Sequence, residues 1–176
     1  MTSVVRDYFT LFNLPHSFSI NSSELELRYH DLQSKVHPDK HAHLGDSERR
    51  LAMQRATEAN AAFRTLKNPL KRADYLLRLA GHDVAIENNT AMPAEFLIEQ
   101  MELREAVGDA RAASEEAELD RLRAELKLRM AEQYALLEIM LDQRQDYAEA
   151  ADMVRCLMFQ EKLLQEIDDA LEAIEA

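Results

Sequence analysis

The chain has 176 residues, a length that favours one domain or two small ones, and its formal net charge is -12. Because phosphate neutralisation requires a basic surface, this charge argues against binding to nucleic acid. Only three Gly, four Pro and no Trp occur, while Ala, Leu, Glu and Arg are abundant. This composition indicates an all-α protein rather than one built on a sheet.

The charges are distributed unevenly along the chain. Residues 1–75 carry 11 Lys and Arg against 9 Asp and Glu, whereas residues 76–176 carry 10 against 24. The first part therefore has a net charge of +2 and the second part a net charge of -14. This asymmetry predicts two domains with different partners.

The cysteine content and the apolar stretches favour a reducing, cytoplasmic compartment. A single cysteine, Cys156, excludes an internal disulfide and a Cys-rich metal site, and we expect no cofactor. Its place in a helical pattern indicates a small buried hydrophobic residue. The N-terminus lacks an apolar signal core, and residues 134–141, the most apolar later stretch, are too few to span a bilayer. We expect a cytoplasmic protein without a membrane partner.

Helical signals and helix breakers alternate in the first part of the chain. Residues 6–13 predict a short helix, and the pair Asn21 and Glu24 matches a capping box at the start of a second helix. Pro38 must end the second helix, because proline has no backbone N–H and disfavours helical backbone in the residue before it. Asp46 is expected to cap a third helix.

The apolar positions of the second and third helices recur at spacings of three and four, which is typical of one buried helix face. Small residues along the third helix allow close approach, so we expect the two helices to pack as an antiparallel pair. The predicted buried positions are Leu25, Tyr29, Leu32 and Val36 in the second helix and Ala52, Ala56, Ala59, Phe63 and Leu66 in the third.

The segment after Asn68-Pro69 predicts a short helix and then a domain boundary within residues 81–92. Residues 70–79 predict a short helix that completes a domain over 1–80, and residues 81–92 have the composition of a linker. Residues 93–176 predict an antiparallel three-helix bundle. Its helices are expected over 93–107, 114–144 and 147–176, the last opened by Asp146 and Glu149. Its apolar seams are Leu119, Leu122, Leu126, Met130, Leu137 and Leu141, and Leu157, Leu164, Ile167, Leu171 and Ile174.

The tripeptide His37-Pro38-Asp39 stands in the loop between the second and third helices. An imidazole and a carboxylate at the tip of a helical hairpin are placed for contact with a partner rather than for packing. Around this tripeptide the sequence resembles the J-domain family, whose members stimulate ATP hydrolysis by DnaK-class chaperones. The matching residues are Asp7-Tyr8-Phe9, Leu11, Tyr29, Leu32, Val36-His37-Pro38-Asp39-Lys40, Asn60, Phe63, Leu66, Pro69, Lys71-Arg72-Ala73 and Tyr75.

The J-domain resemblance implies a chaperone-binding surface. In that family the His-Pro-Asp loop and a basic face of the second helix dock on the nucleotide-binding domain of the chaperone. The matching residues of this chain are His37, Pro38, Asp39 and Lys40, with Arg28 and Lys35 as further basic contacts. Asp31 lies between Arg28 and Lys35, where many J-domains carry a cation, and this departure implies a dedicated chaperone. A solvated helix face is the alternative interpretation of Arg28 and Lys35.

The second part indicates which J-domain proteins the chain resembles. No Gly/Phe-rich stretch follows Tyr75 and no paired-Cys zinc motif occurs, which excludes the general DnaJ layout. Residues 96–105 resemble the client-binding helix of the HscB family, the co-chaperones of iron–sulfur cluster biogenesis, and residues 151–155 with Phe159 extend the resemblance. It implies a DnaK/HscA-class chaperone as one partner and the scaffold protein IscU as the other. The implied IscU-binding residues are Leu97, Ile98, Met101, Glu102, Arg104, Glu105 and Phe159.

A helical wheel of residues 96–107 shows two apolar faces, at 100° per residue. One face holds Phe96, Leu103 and Val107, and the other holds Leu97, Ile98 and Met101. A helix in a bundle needs only one apolar face. The second face is therefore either covered by residues 70–79 or exposed for a partner.

Three alternatives to the favoured function follow from the sequence. A metal or acid–base site would use His37, Asp39, His41, His43 and Asp46, but a His-X-His in a loop lacks fixed geometry. An oligomerising coiled coil would need strict heptads, whereas the apolar spacing drifts between three and four. A J-domain adaptor could also deliver a different client. The favoured function is non-catalytic: activation of a partner ATPase and delivery of IscU to it.

Overall fold

The computed structural model of the chain describes residues 7–36, 45–82, 84 and 92–175. Within these ranges the regular structure is entirely helical, which confirms the all-α fold. The helices are α1 (Tyr8–Leu11), α2 (Ser22–Val36), α3 (Asp46–Lys67), α4 (Pro69–Leu79), α5 (Ala94–Ala112), α6 (Glu116–Glu138), a π-helical turn (Ile139–Arg144) and α7 (Tyr147–Glu175). Over the same ranges, none of these helices combines the length and apolar character needed to cross a bilayer.

The chain divides into two compact units, residues 1–76 and residues 77–176. The division falls inside α4, which joins them. Most of the predicted linker, residues 81–92, lies outside the described residues.

The core of the first unit forms around α1, which is shorter than predicted. The Asp7 carboxylate accepts a hydrogen bond from the Thr10 backbone N–H at 3.0 Å, so the helix begins after Asp7. Asn13 has a φ of 51°, a left-handed conformation that cannot continue a helix. The expected extent over residues 6–13 is therefore wrong at both ends. The buried core of this unit contains Phe9, Phe12, Leu14, Leu25, Ala62 and Leu66.

Helices α2 and α3 form the predicted antiparallel pair. The Tyr29 ring stacks on the Phe63 ring with centroids 4.0 Å apart, and the Tyr29 hydroxyl donates to Asn60 Oδ1 at 2.9 Å. Glu26, one turn earlier in α2, pairs with Lys67 at the end of α3 at 3.0 Å. Because an earlier residue of α2 meets a later residue of α3, the two helices run in opposite directions.

The N-terminal caps of α2 and α3 differ in how well the sequence predicts them. The Asn21 side chain accepts from the Glu24 backbone N–H at 3.1 Å, which confirms Asn21 as the cap of α2. Gly45 occupies the N-cap position of α3, and Asp46 is the first helical residue, so the predicted Asp46 cap is wrong. The Asp46 carboxylate instead lies in the first turn, where the helix dipole favours negative charge.

The second unit is a three-helix bundle of α5, α6 and α7. Helix α5 continues through Gly108 to Ala112, so the predicted end at residue 107 is wrong. A glycine inside a helix costs only about 1 kcal/mol relative to alanine, less than the burial of Val107 and Ala110 on either side contributes. The chain turns instead at Ser114, whose φ is 54°.

The connection between α6 and α7 is tight. Residues 139–144 wind as a π-helical turn, and Gln145, with a φ of 55°, ends it. The Asp146 carboxylate accepts from the Glu149 backbone N–H at 3.4 Å, which confirms the predicted cap of α7. The predicted single helix over residues 114–144 is thus α6 followed by one π-helical turn.

The core of the bundle follows the predicted seams except at Leu164 and Ile174, which are half-buried. All six apolar residues of the α6 seam are buried, as are Leu157, Ile167 and Leu171 of α7. Leu163 is fully buried and Leu164 only half-buried, so Leu163 and not the predicted Leu164 contributes to the core at this turn. Cys156 is half-buried, and burial raises the pKa of its thiol.

Two glutamines interrupt the apolar core of the bundle. Gln100 of α5 and Gln160 of α7 are both buried, and no amide atom of either has a hydrogen-bond partner among the residues that the structure describes. The sequence patterns did not predict these positions as core. A buried amide without a partner costs about 1–3 kcal/mol.

Replacing Gln160 by Leu is therefore expected to raise the free energy of unfolding of the bundle by about 1 kcal/mol. The matched control is Gln165→Leu on the same helix, because the exposed Gln165 amide donates to Asp169 at the surface at 2.7 Å. Urea unfolding followed by circular dichroism measures both. A Gln160→Leu protein less stable than the wild type would contradict the assignment of an unpaired buried amide.

Candidate client and chaperone surfaces

Helix α5 exposes the second of its two apolar faces. Phe96 and Leu103 are half-buried and Val107 is buried, so the first face packs in the bundle. The side chains of the second face, which we call the apolar patch, are 39% (Leu97), 56% (Ile98) and 70% (Met101) exposed. Of the two possibilities left by the sequence, the structure shows the exposed one.

The directions of the three helices follow from ion pairs between them. On α6, Arg129 pairs with Glu99 of α5, and Arg123 pairs with Asp168 of α7 at 3.4 Å. Helices α6 and α7 are antiparallel because a tight turn joins them and they pack on each other. Arg104 of α5 pairs with Glu166, close to Asp168, at 3.5 Å. Glu99 therefore lies beside Arg129, whereas Arg104, five residues later on α5, lies at the level of Arg123. Helix α5 is thus antiparallel to α6 and parallel to α7.

This parallel arrangement places Phe159 level with the apolar patch. Leu97 lies seven residues before Arg104 on α5, and Phe159 lies seven residues before Glu166 on α7. Seven residues are about two helical turns. Residues seven apart lie on nearly the same side of a helix. Phe159 thus lies on the side of α7 that faces α5, at the height of Leu97. It is half-buried, and Lys162 Nζ lies 5.7 Å from its ring centroid.

Charged side chains surround the apolar patch, and they are not equivalent. Glu102 and Glu105 are exposed on α5. Arg104 is half-buried, and its ion pair with Glu166 ties α5 to α7. We therefore assign Arg104 to the support of the patch and the two carboxylates to its rim.

In the first unit, Arg28 has a role that the sequence did not reveal. Its guanidinium donates to the backbone oxygens of Phe12, at 2.8 Å, and Asn13, and it pairs with Glu24. These bonds satisfy carbonyl groups at the end of α1 and fasten α1 to α2. The positive charge is thus already engaged within the unit.

Lys35 is arranged differently from Arg28. Its ammonium is exposed and pairs with Asp31 of the preceding turn at 2.7 Å. Such a surface pair contributes little to stability. The other predicted chaperone contacts, His37, Pro38, Asp39 and Lys40, lie outside the described residues, as do His41 and His43 of the metal-site alternative.

Substituting Arg28 and Lys35 separately tests this difference. Arg28→Met is expected to lower the free energy of unfolding of the first unit by about 2 kcal/mol, because charged donors to two carbonyls are lost. Lys35→Met is expected to change it by less than about 0.5 kcal/mol. Hydrogen exchange of the α2 and α3 amides measures both. Equal effects of the two substitutions would contradict the assigned role of Arg28.

Known proteins are similar to this chain in sequence and in architecture. A family model described as the HSCB C-terminal oligomerisation domain matches residues 92–168. The co-chaperone protein HscB homolog of Azoarcus sp. (strain BH72) is 56% identical over 170 residues, which cover 97% of this chain and 96% of that protein. This chain belongs to the HscB co-chaperone family.

Solved structures of HscB proteins have the same fold. The chaperone HscB from Vibrio cholerae is 35% identical, with a TM-score of 0.85 over 96% of this chain and 99% of that one. The human co-chaperone HscB is 28% identical, with a TM-score of 0.90 over 99% of this chain and 86% of that one. The predicted fold class, a J-domain followed by a helical bundle, is thereby confirmed.

Proposed function

We propose that this HscB-family co-chaperone stimulates ATP hydrolysis by a DnaK/HscA-class chaperone and delivers the scaffold protein IscU to it. The observation that carries the proposal is the apolar patch on α5. The bundle has a buried core without these three side chains, so their exposure is not needed for folding. Contiguous exposed apolar residues on a soluble protein mark interaction sites.

The composition of the surface suits a transient partner. Leu97, Ile98, Met101 and Phe159 offer four apolar anchors, and full burial of such a side chain contributes about 1.5–3 kcal/mol. Glu102 and Glu105 supply a polar rim that orients the partner more than it strengthens binding. A client held in this way can be released to the chaperone, as delivery requires.

The first unit would act on the chaperone through the His37-Pro38-Asp39 tripeptide. Pro38 restricts the backbone beforehand, which reduces the entropy lost on binding. The Asp39 carboxylate can form a charge-assisted hydrogen bond with a cation of the partner, for which Arg has the best geometry. The co-chaperone itself performs no bond chemistry. It favours the hydrolysis-competent conformation of the ATPase by binding that conformation more tightly.

Steady-state ATPase measurements with an HscA-class chaperone and IscU test the proposal. Wild-type protein is expected to raise the rate, and His37→Gln is expected to abolish the increase. The matched control is His30→Gln, because His30 is exposed on α2 and lies far around the helix from Lys35. No stimulation by the wild type would refute the proposal, and an unchanged rate with His37→Gln would refute the role of the tripeptide.

Self-association is a second candidate function of the bundle. The family model that matches residues 92–168 is described as an oligomerisation domain. Leu128 and Leu136 on α6 are 64% and 50% exposed and could serve such a contact. Sedimentation velocity distinguishes the possibilities. A dimer that Leu128→Glu dissociates would support self-association through α6, whereas a monomer at every concentration would exclude it.

A further inference from the structure

The methionine side chains in the described part of the chain differ widely in exposure. Met101 of the apolar patch is 70% exposed, and Met53 of α3 is 59% exposed. A peroxide must reach the sulfur atom in order to oxidise it, so its rate of attack follows exposure. Met101 and Met53 are therefore oxidised before the other described methionines. Those others are half-buried or buried, namely Met92, Met130, Met140, Met153 and Met158.

The single cysteine of the chain, Cys156, is a poor competitor for a peroxide. It is half-buried on α7, and burial raises the pKa of its thiol. The thiolate is the nucleophilic form of cysteine, and a raised pKa leaves less thiolate at neutral pH. Oxidation of the bundle by a peroxide therefore begins at Met101.

Met101 shares the apolar patch with Leu97, four residues before it, and Ile98, three residues before it. These spacings put the three side chains on one side of α5, and Met101 is the most exposed of them. A partner that covers the patch must therefore bury the Met101 sulfur. Oxidation converts this apolar thioether into a polar sulfoxide. A polar group that is buried without a hydrogen-bond partner weakens the interface that contains it.

The charged neighbours of Met101 on α5 do not compensate for this change. Glu102 and Glu105 carry carboxylates, which accept hydrogen bonds, and the oxygen of a sulfoxide is an acceptor too. The Arg104 guanidinium is a donor, but it is already paired with Glu166 of α7 at 3.5 Å. An oxidised Met101 thus places an unpaired acceptor within the client surface.

We propose that Met101 is an oxidation site through which hydrogen peroxide weakens client binding. The thioether sulfur attacks one peroxide oxygen, an S–O bond forms as the O–O bond breaks, and the second oxygen leaves as water after proton transfer. The sulfur loses two electrons and the peroxide gains them. Methionine sulfoxide reductases reverse the step, one enzyme for each sulfoxide epimer. The inference rests on the proposed function, because it concerns IscU binding at the apolar patch.

Peroxide treatment of the full-length protein tests the inference, with catalase removing the peroxide before IscU is added. Peptide mapping by mass spectrometry is expected to show sulfoxide at Met101 and Met53 before the other methionines. Calorimetry is expected to show a dissociation constant for IscU that is about tenfold higher or more, and treatment with both reductases is expected to restore it. If Met101 is oxidised while the affinity stays within about twofold of the untreated protein, the inference is overturned.

Two methionine-to-leucine variants separate the exposed sites. Met101→Leu keeps an apolar side chain of similar volume, so it is expected to bind IscU within about threefold of the wild type and to keep that affinity after peroxide. Met53→Leu is expected to lose affinity on oxidation as the wild type does, because Met53 belongs to the first unit. Loss of affinity in peroxide-treated Met101→Leu would overturn the inference. An untreated wild type that did not bind IscU would instead refute the underlying function.

Discussion

Replacing Leu97, Met101 and Phe159 together by Ala is expected to weaken the binding of IscU by about a hundredfold or more. Each substitution removes an apolar side chain that the partner would bury, at about 1 kcal/mol or more apiece. Losses of that size multiply to two or more powers of ten in the dissociation constant. Isothermal titration calorimetry of the purified proteins measures the change directly.

The matched control for this triple substitution is Leu128→Ala with Leu136→Ala. These leucines are also exposed, but they belong to α6 and are members of neither the apolar patch nor the Phe159 contact. Their removal is expected to leave IscU affinity within about twofold of the wild type. Equal losses in the two variants would mean that general surface hydrophobicity, and not the apolar patch, accounts for binding.

Phe9→Ala is expected to lower the free energy of unfolding of the first unit by about 3–5 kcal/mol. The Phe9 ring is fully buried, with its centroid 6.0 Å from that of Tyr75 and 5.3 Å from that of His16. Its loss leaves a cavity at the point where α1 meets the rest of the core. Hydrogen exchange of the α2 and α3 amides isolates this unit from the bundle.

Leu27→Ala provides the comparison for Phe9→Ala, because Leu27 is an apolar residue of the same unit that is mostly exposed. It is expected to change stability by less than about 0.5 kcal/mol. A Phe9→Ala effect as small as this one would show that α1 is not part of the cooperative core.

The sequence predicted most helices because their signals are local. Asn21 and Asp146 cap α2 and α7 as expected, and the seam of α6 is buried throughout. Gly108 misled the prediction, because the cost of one glycine is smaller than the contribution of the packed residues around it. The left-handed residue Ser114, which does end α5, has no strong sequence signal.

Helical periodicity alone predicted the second apolar face of α5, but it left open whether that face is covered by residues 70–79 or exposed. Two other features were not predictable. Arg28 looked like a surface cation, although its partners are backbone carbonyls of another helix. The Arg155 guanidinium donates to the Val84 backbone oxygen from 71 positions away in sequence, and a bond from a side chain to a backbone oxygen leaves no pattern in either segment. Only the three-dimensional fold brings such groups together.

The most direct test of delivery asks whether both surfaces must be on one molecule. ATPase stimulation in the presence of IscU is measured with His37→Gln, with the Leu97, Met101 and Phe159 triple variant, and with an equal mixture of the two. We predict that neither variant nor the mixture stimulates as the wild type does, because a tether cannot act between separate molecules. A mixture that restored wild-type stimulation would show that the two units act independently and would contradict delivery by an adaptor.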